Sequence, residues 1–327
     1  MEPLLKVENL KTHFFQNKRV IPAVNGVDFH INKGETVAVV GESGCGKSLS
    51  ALSIMRLVPQ PGGRIVDGSI KMGDIDLTQL TENEMCKIRG KEISMIFQEP
   101  MTSLNPVLTI GEQIIEVITY HQMLTRKEAA KKAVQLLEMV GFPRAKEVLS
   151  DYPHRLSGGM RQRVMIAIAM SCNPKLLIAD EPTTALDVTI QAQIMELLKD
   201  LTKKYETSIL LITHDLGVVS EMAERVIVMY AGEVVEEALV DDLFDAPYHP
   251  YTEGLINSVP TLTGEITRLH AIEGTVPLPG ALPKGCRFAP RCSKAFDRCF
   301  EEKPELKAPT EHRLVRCFLY ENQKGES

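Results

Sequence analysis

The stretch Gly41-Glu-Ser-Gly-Cys-Gly46-Lys47-Ser48 decides the reading of this chain. Before it, Glu-Thr-Val-Ala-Val-Val at 35–40 is a β-branched run that reads as a buried strand. After it, residues 47–58 carry Leu52, Ile54, Met55, Leu57 and Val58, which fit a helix packed on that strand, and Pro59-Gln-Pro-Gly-Gly breaks it. Taken alone, the pattern could be a glycine-rich turn with an exposed lysine. Between a strand and a helix it reads as a phosphate-binding loop. Gly41, Gly44 and Gly46 permit positive φ and bring backbone N–H groups close to phosphate oxygens. The helix N-terminus adds the positive end of its dipole. Lys47 supplies a charge to β- and γ-phosphates and Ser48 a hydroxyl to Mg²⁺. Ser43, Cys45 and Leu49 complete the candidate nucleotide contacts, Cys45 as a small spacer rather than a nucleophile.

A second signal is independent of the first. Leu176-Leu-Ile-Ala-Asp180-Glu181 is an apolar strand ending in two carboxylates, where open α/β sheets bind ligands. Asp180 suits Mg²⁺ binding and Glu181 suits polarisation of an attacking water. His214 follows the apolar run 208–213 in the same way. Residues 93–97 and 175–179 are further strands, and Ile190, Ile194, Leu197, Leu198 and Leu201 form a helical stripe between strands. A helix is expected over 126–140, stopped by Gly141. The alternation predicts an α/β fold with a parallel sheet covered by helices on both faces. Residues 101–170 read as a helical insertion.

Composition bounds the rest. The 327 residues are 44% hydrophobic and 24% charged with a net charge of −6, ordinary for a globular chain. No apolar run approaches the ~18–20 residues of a bilayer span. The first residues lack a basic stretch leading into an apolar core, so a cytoplasmic location is expected. The acidic balance argues against an obligate nucleic-acid binder. With no Trp, seven Tyr and ten Phe, the core must be mainly aliphatic.

Ordered along the chain, these motifs resemble the nucleotide-binding subunit of an ABC transporter. Leu156-Ser157-Gly158-Gly159-Met160-Arg-Gln-Arg looks like the family signature loop, with Met160 where many relatives carry Gln. Phe97-Gln98-Glu-Pro resembles the Q-loop, Thr184-Ala-Leu-Asp187 the D-loop and Thr213-His214-Asp215 the switch-histidine segment. Phe14, with Phe15 its rival, matches the adenine-stacking aromatic. Ala246-Pro-Tyr-His-Pro-Tyr-Thr and the tail starting Gly274-Thr-Val-Pro narrow the likeness to bacterial dipeptide and oligopeptide importers. The resemblance implies an ABC-type P-loop NTPase with an antiparallel β part and a helical signature subdomain at about 101–170. The cassette would cover 1–240, followed by a cysteine-bearing extension over 241–327. It implies ATP hydrolysis with Glu181, His214 and Gln98 as catalytic residues and Ser48, Gln98 and Asp180 at Mg²⁺. Ser157, Gly158 and Gly159 would face the nucleotide of a second cassette, expected to be a sister chain. Two permeases, and indirectly an extracytoplasmic substrate-binding protein, would complete the assembly, with this chain peripheral on the cytoplasmic face of the cell membrane and no nucleic acid involved.

The tail poses a separate question. Prolines crowd after about Val240, and Cys286-x5-Cys292-x6-Cys299-x17-Cys317 gathers four of the seven cysteines. In a reducing compartment, clustered cysteines suggest zinc or an iron–sulfur centre. The gaps are wider than those of a zinc ribbon. Resemblance to peptide-importer subunits favours a 4Fe-4S cluster on these four residues, stapling a segment poor in apolar residues. Competing readings are an ABC ATPase acting on ribosomes or DNA, an importer of nickel or another small solute, and a P-loop kinase. The signature loop and His214 oppose the kinase.

Overall fold

The computed structural model describes residues 2–16, 19–99, 103–184, 186–258, 272–278 and 280–321. Met101 at the start of the expected insertion, Ala185 of the D-loop-like segment, and Pro100, Pro260 and Pro279 lie outside them. Two compact units emerge, one of residues 1–31, 36–78 and 212–327, the other of 32–35 and 79–211. Strands are numbered along the whole chain.

In the first unit, β1 (Leu5–Gln16), β2 (Arg19–Ile31), β4 (Gly63–Met72) and β5 (Ile75–Asp76) form an antiparallel sheet ordered β2-β1-β4-β5. Beside it run β11 (Lys307–Thr310), β12 (Arg313–Val315), β10 (Glu233–Leu239), β9 (Arg225–Tyr230) and β3 (Thr36–Val40), in that order. The pairing β3–β9 is parallel, Val37 opposite Arg225 through Val40 opposite Val228. Every residue of β3 is buried, as its β-branched sequence predicts. The β9–β10 hairpin turns through Ala231 and Gly232, both at positive φ, the geometry that matches strand twist.

The helix expected over 47–58 is shorter, Lys47–Ile54. Arg56 takes φ +51°, its N–H bonds Ser53 O and the Leu57 N–H bonds Leu52 O, a Schellman closure that stops the helix four residues early. No glycine or proline marks that stop.

The segment after Val240 shares a core with β3 and β9. Tyr251, Phe288 and Leu243 pack with Val40, Val228 and Tyr230. The Tyr230 and Tyr251 rings meet edge-on at 4.6 Å. Buried carboxylates fix this packing. Glu236 accepts the Tyr248 and His249 N–H groups at 2.9 and 2.8 Å, setting the turn that starts the Pro250–Asn257 helix. Glu233 accepts Asn25 Nδ2 at 3.1 Å, Arg287 Nη2 at 2.7 Å and Lys303 Nζ at 2.6 Å.

In the second unit, β6 (Ile93–Ile96) and β7 (Leu176–Asp180) pair in parallel, with β8 (Ser208–Ile212) next to β7. Helices Ile110–Gln122 and Arg126–Met139 each start with a Thr–Glu capping box, Thr109 with Glu112 and Thr125 with Glu128. The second helix ends where the sequence places it, with Gly141 at φ +91° closing a Schellman turn. Arg161 and Arg163 bond carbonyls: Arg161 Nε those of Pro153 and Leu156 at 2.9 and 3.1 Å, Arg163 Nη1 that of Val140 at 2.8 Å. These acceptors lie at turns and a helix end, where cations are favoured.

Two stability outcomes are expected. Glu233→Ala withdraws the carboxylate from a guanidinium whose side chain is 10% exposed. It should cost about 3 kcal/mol in a urea melt, against under about 1 kcal/mol for an exposed pair such as Arg144–Glu147. His249 is fully buried and accepts the Tyr251 N–H on Nδ1 at 3.1 Å. Burial, with the nearby Arg316 charge, lowers its pKa to about 3. A depressed folded pKa means stability present above the unfolded value, ~6.5, and lost as pH falls from there toward 3. In His249→Asn, which can still accept the Tyr251 N–H, the loss of stability over that pH window should be shallower than in the wild type by thermal melting.

Candidate functional site

In the first unit the glycine loop links β3 to the Lys47–Ile54 helix. Gly41, Gly44 and Gly46 all have positive φ, at +147°, +81° and +103°, as their place in the pattern requires. Two of the three are also dictated by contact. A Cβ on Gly41 would lie 2.2 Å from Met229 O, and one on Gly46 2.8 Å from Ala23 O. Gly44 has open space around its Cα. The Gly232 N–H ties the loop to the β9–β10 turn through Cys45 O at 2.8 Å. Lys47 is 6% exposed, and its Nζ donates to Gly41 O at 2.6 Å and Glu42 O at 3.1 Å. An ammonium held by two loop carbonyls is aimed along the loop rather than into solvent. Cys45 is buried and burial raises its thiol pKa, which suits the spacer reading.

His214 is exposed just past the end of β8. Its neighbour Asp215 caps the Leu216–Met222 helix, accepting the Gly217 and Val218 N–H groups at 2.9 and 3.3 Å. Phe14 is half-buried on β1, its ring against Gly63, where a Cβ would come within 2.9 Å of it. Phe15 is 44% exposed with the Arg64 guanidinium 5.7 Å from its ring centre.

In the second unit Asp180 ends β7 with only 4% exposure. Glu181 follows at φ +46°, a left-handed conformation that costs energy for a residue with a side chain. Its Oε2 accepts Gln98 Nε2 at 2.8 Å and Thr184 Oγ1 at 2.8 Å. Strain and two donors together hold this carboxylate in one place. Gln98 and Glu181, 83 positions apart, are thus brought together. Thr184 is a partner that sequence reasoning assigned no such role.

Ser157 caps the Gly158–Met170 helix, with the Met160 N–H 3.4 Å from its Oγ. Ser157 and Gly158 are exposed. Gly159 has a packing reason to be glycine: a Cβ there would lie 2.8 Å from Ile190 Cγ2 on the Val188–Tyr205 helix.

The cysteines correct one expectation. Cys286, Cys292, Cys299 and Cys317 line a cavity of about 20 Å³ with Phe288, Phe318 and Leu319, and all four are free thiols. Among the described residues, no group of three or more His, Cys, Asp or Glu side chains is placed to hold a metal ion, so the iron–sulfur assignment to these cysteines is withdrawn. The argument for a staple also fails physically. The segment has packing anchors of its own, Phe288 in the core and β12 on β10. Burial raises the thiol pKa of Cys286, Cys292 and Cys317, the last to about 11.

Comparison with known proteins agrees with this geometry. A family model described as "ABC transporter" matches residues 24–184, and one described as "Oligopeptide/dipeptide transporter, C-terminal region" matches 235–299. A model of an AAA domain, described as a putative AbiEii toxin, matches 150–220. The chain is 69% identical over 326 residues to the oligopeptide transport ATP-binding protein AppD of Bacillus subtilis, covering 100% of this chain and 99% of that one. It is 52% identical over 318 residues to OppD of the same organism, an oligopeptide transport ATP-binding protein, covering 97% of this chain and 88% of the relative. Among solved structures it resembles the ATP-binding cassette MJ0796, a dimer bound to ADP and Pi, with TM-score 0.65 and 31% identity over 72% of this chain and 98% of that one. With a glycine loop, a strand-end acidic pair and a serine-capped signature helix in family order, and end-to-end identity of that degree, this chain belongs to the ABC transporter family of ATPases.

Proposed function

We propose that the chain is the ATP-hydrolysing, energy-coupling subunit of an importer for dipeptides or oligopeptides. The observation that carries the reading is the unbroken 69% identity to a protein named for ATP binding in oligopeptide transport. The match of residues 235–299 to a C-terminal region of oligopeptide and dipeptide transporters supports it, and favours peptides over ribosomes, DNA or metal ions as the business of the chain.

Phosphoryl transfer needs positioning and charge stabilisation more than covalent chemistry. Loop N–H groups from 41–48, the Lys47 ammonium and the N-terminus of its helix would receive the phosphates, with Phe14 at the adenine. As the family likeness implies, Ser48, Asp180 and Gln98 would provide hard oxygen donors suited to Mg²⁺, and the ion would supply charge neutralisation at the β- and γ-phosphates. Glu181, confined by its bonds from Gln98 and Thr184, would orient and deprotonate a water. His214 would contact the γ-phosphate from the end of β8. The exposed Ser157–Gly158 edge would complete the site of a second, sister cassette. The cassette over 1–240, its helical part over 101–170 and the extension over 241–327 are part of the same proposal.

Among the described residues no helix is long and apolar enough to cross a membrane. Attachment to the cytoplasmic face would therefore run through two permease subunits, with an extracytoplasmic binding protein delivering the cargo.

Glu181→Gln should bind ATP as the wild type does while hydrolysis falls by about 10²–10⁴-fold, and ATP should then accumulate a stable pair of cassettes on size exclusion. Normal turnover would remove Glu181 from catalysis. Lys47→Ala should instead weaken binding itself in a titration with a fluorescent ATP analogue. Peptide uptake into vesicles carrying the permeases, lost in both variants, tests the transport assignment.

A further inference from the structure

Glu42 is the one acidic residue in the glycine loop, and it is gripped from 249 positions away. Arg291 Nη1 donates to Glu42 Oε2 at 2.6 Å and Nη2 to Oε1 at 3.0 Å, a fork-to-fork pair. The Arg291 side chain is 5% exposed. Its direction does not depend on Glu42 alone. Nε donates to Glu273 O at 2.8 Å, Nη2 to Ile272 O at 3.2 Å and Gly274 O at 3.3 Å, and Nη1 reaches Tyr230 Oη at 3.3 Å. The guanidinium also lies 5.8 Å from the Tyr230 ring centre and 6.0 Å from that of Phe288. Glu42 is held a second time through its main chain, whose N–H donates to Tyr251 Oη at 2.8 Å. Both the side chain and the backbone of one loop residue are thus fixed by the C-terminal segment.

We propose that Arg291 is a positioning residue for triphosphate binding, holding and neutralising the Glu42 carboxylate so that the loop presents amides and an ammonium to the phosphates without a competing negative charge. The proposal rests on the nucleotide reading of the loop. Its physics is simple. A carboxylate one residue from Gly41, in a partly buried setting where water screens weakly, repels a triphosphate unless a fixed cation offsets it. Arginine is the residue for this because its planar fork satisfies both carboxylate oxygens at once and stays charged at every physiological pH. The C-terminal segment thereby becomes a determinant of nucleotide affinity, although its sequence contains no phosphate-binding motif.

The test is titration of the full-length chain with trinitrophenyl-ATP, with thermal melting to verify folding. Arg291→Gln should raise Kd about ten-fold, and adding Glu42→Gln to it should bring Kd back to within about three-fold of wild type. Arg291→Lys, which keeps the charge and loses the fork, should stay within about three-fold. Melting read beside affinity separates this role from a purely structural one: affinities that merely track the melting temperature across the variants would overturn the inference. Wild-type affinity in Arg291→Gln, or a double variant as weak as the single one, would overturn the inference. Should Arg291→Gln fail to fold, a ten-fold loss in Arg291→Lys would do the same. A wild-type chain that binds no probe, with Lys47→Ala indistinguishable from it, would instead sink the nucleotide reading itself.

Discussion

The structure of the first unit turns on how closely the backbone of the glycine loop approaches β2 and the β9–β10 hairpin. Gly41 sits where a Cβ would lie 2.2 Å from Met229 O, and Gly46 where one would lie 2.8 Å from Ala23 O. No side chain fits in either place. That contact lets the loop fold back over the end of β3, and with Gly232 N–H on Cys45 O it fixes the direction in which Lys47 and the first turn of the helix point. A phosphate loop must present several N–H groups to one small anion, and only a backbone this tightly seated can do so without reorganising.

Around this contact the protein invests in buried charges that have specific partners. Glu233, Glu236 and Arg291 are each almost fully buried, and each meets groups from the segment after Val240 or belongs to it. Buried ion pairs are weak sources of net stability, because desolvation offsets most of the attraction. Their effect here is on position: a carboxylate that must find two N–H groups and a guanidinium admits few arrangements of the chain. Glu181 follows the same logic in the second unit, where a left-handed backbone and two hydrogen bonds confine one carboxylate.

The cysteine-bearing tail teaches the opposite lesson about motif reading. Four cysteines at wide spacing in a proline-rich stretch suggested a metal staple, since the stretch holds too few apolar residues to make a core of its own. It does not need its own. Phe288 and Tyr251 enter the core already built by Val40, Val228 and Tyr230, and β12 extends a sheet that already exists. Composition measures what a segment can bury by itself and is blind to the surface it can borrow.

The amino-acid sequence alone determined the strand–glycine loop–helix unit, the acidic end of β7, the parallel α/β class, the Gly141 stop and the family, because each of these is written in short-range patterns of apolar spacing, glycine and charge. The early end of the Lys47 helix escaped it, since a left-handed arginine closes that helix where no glycine signals it. Also beyond its reach were the Thr184 bond to Glu181, the packing of Gly159 on Ile190 and the grip of Arg291 on Glu42. Those were decided by the tertiary structure, which alone brings together residues that local patterns treat as unrelated and which alone determines whether a charge has an opposite charge within reach.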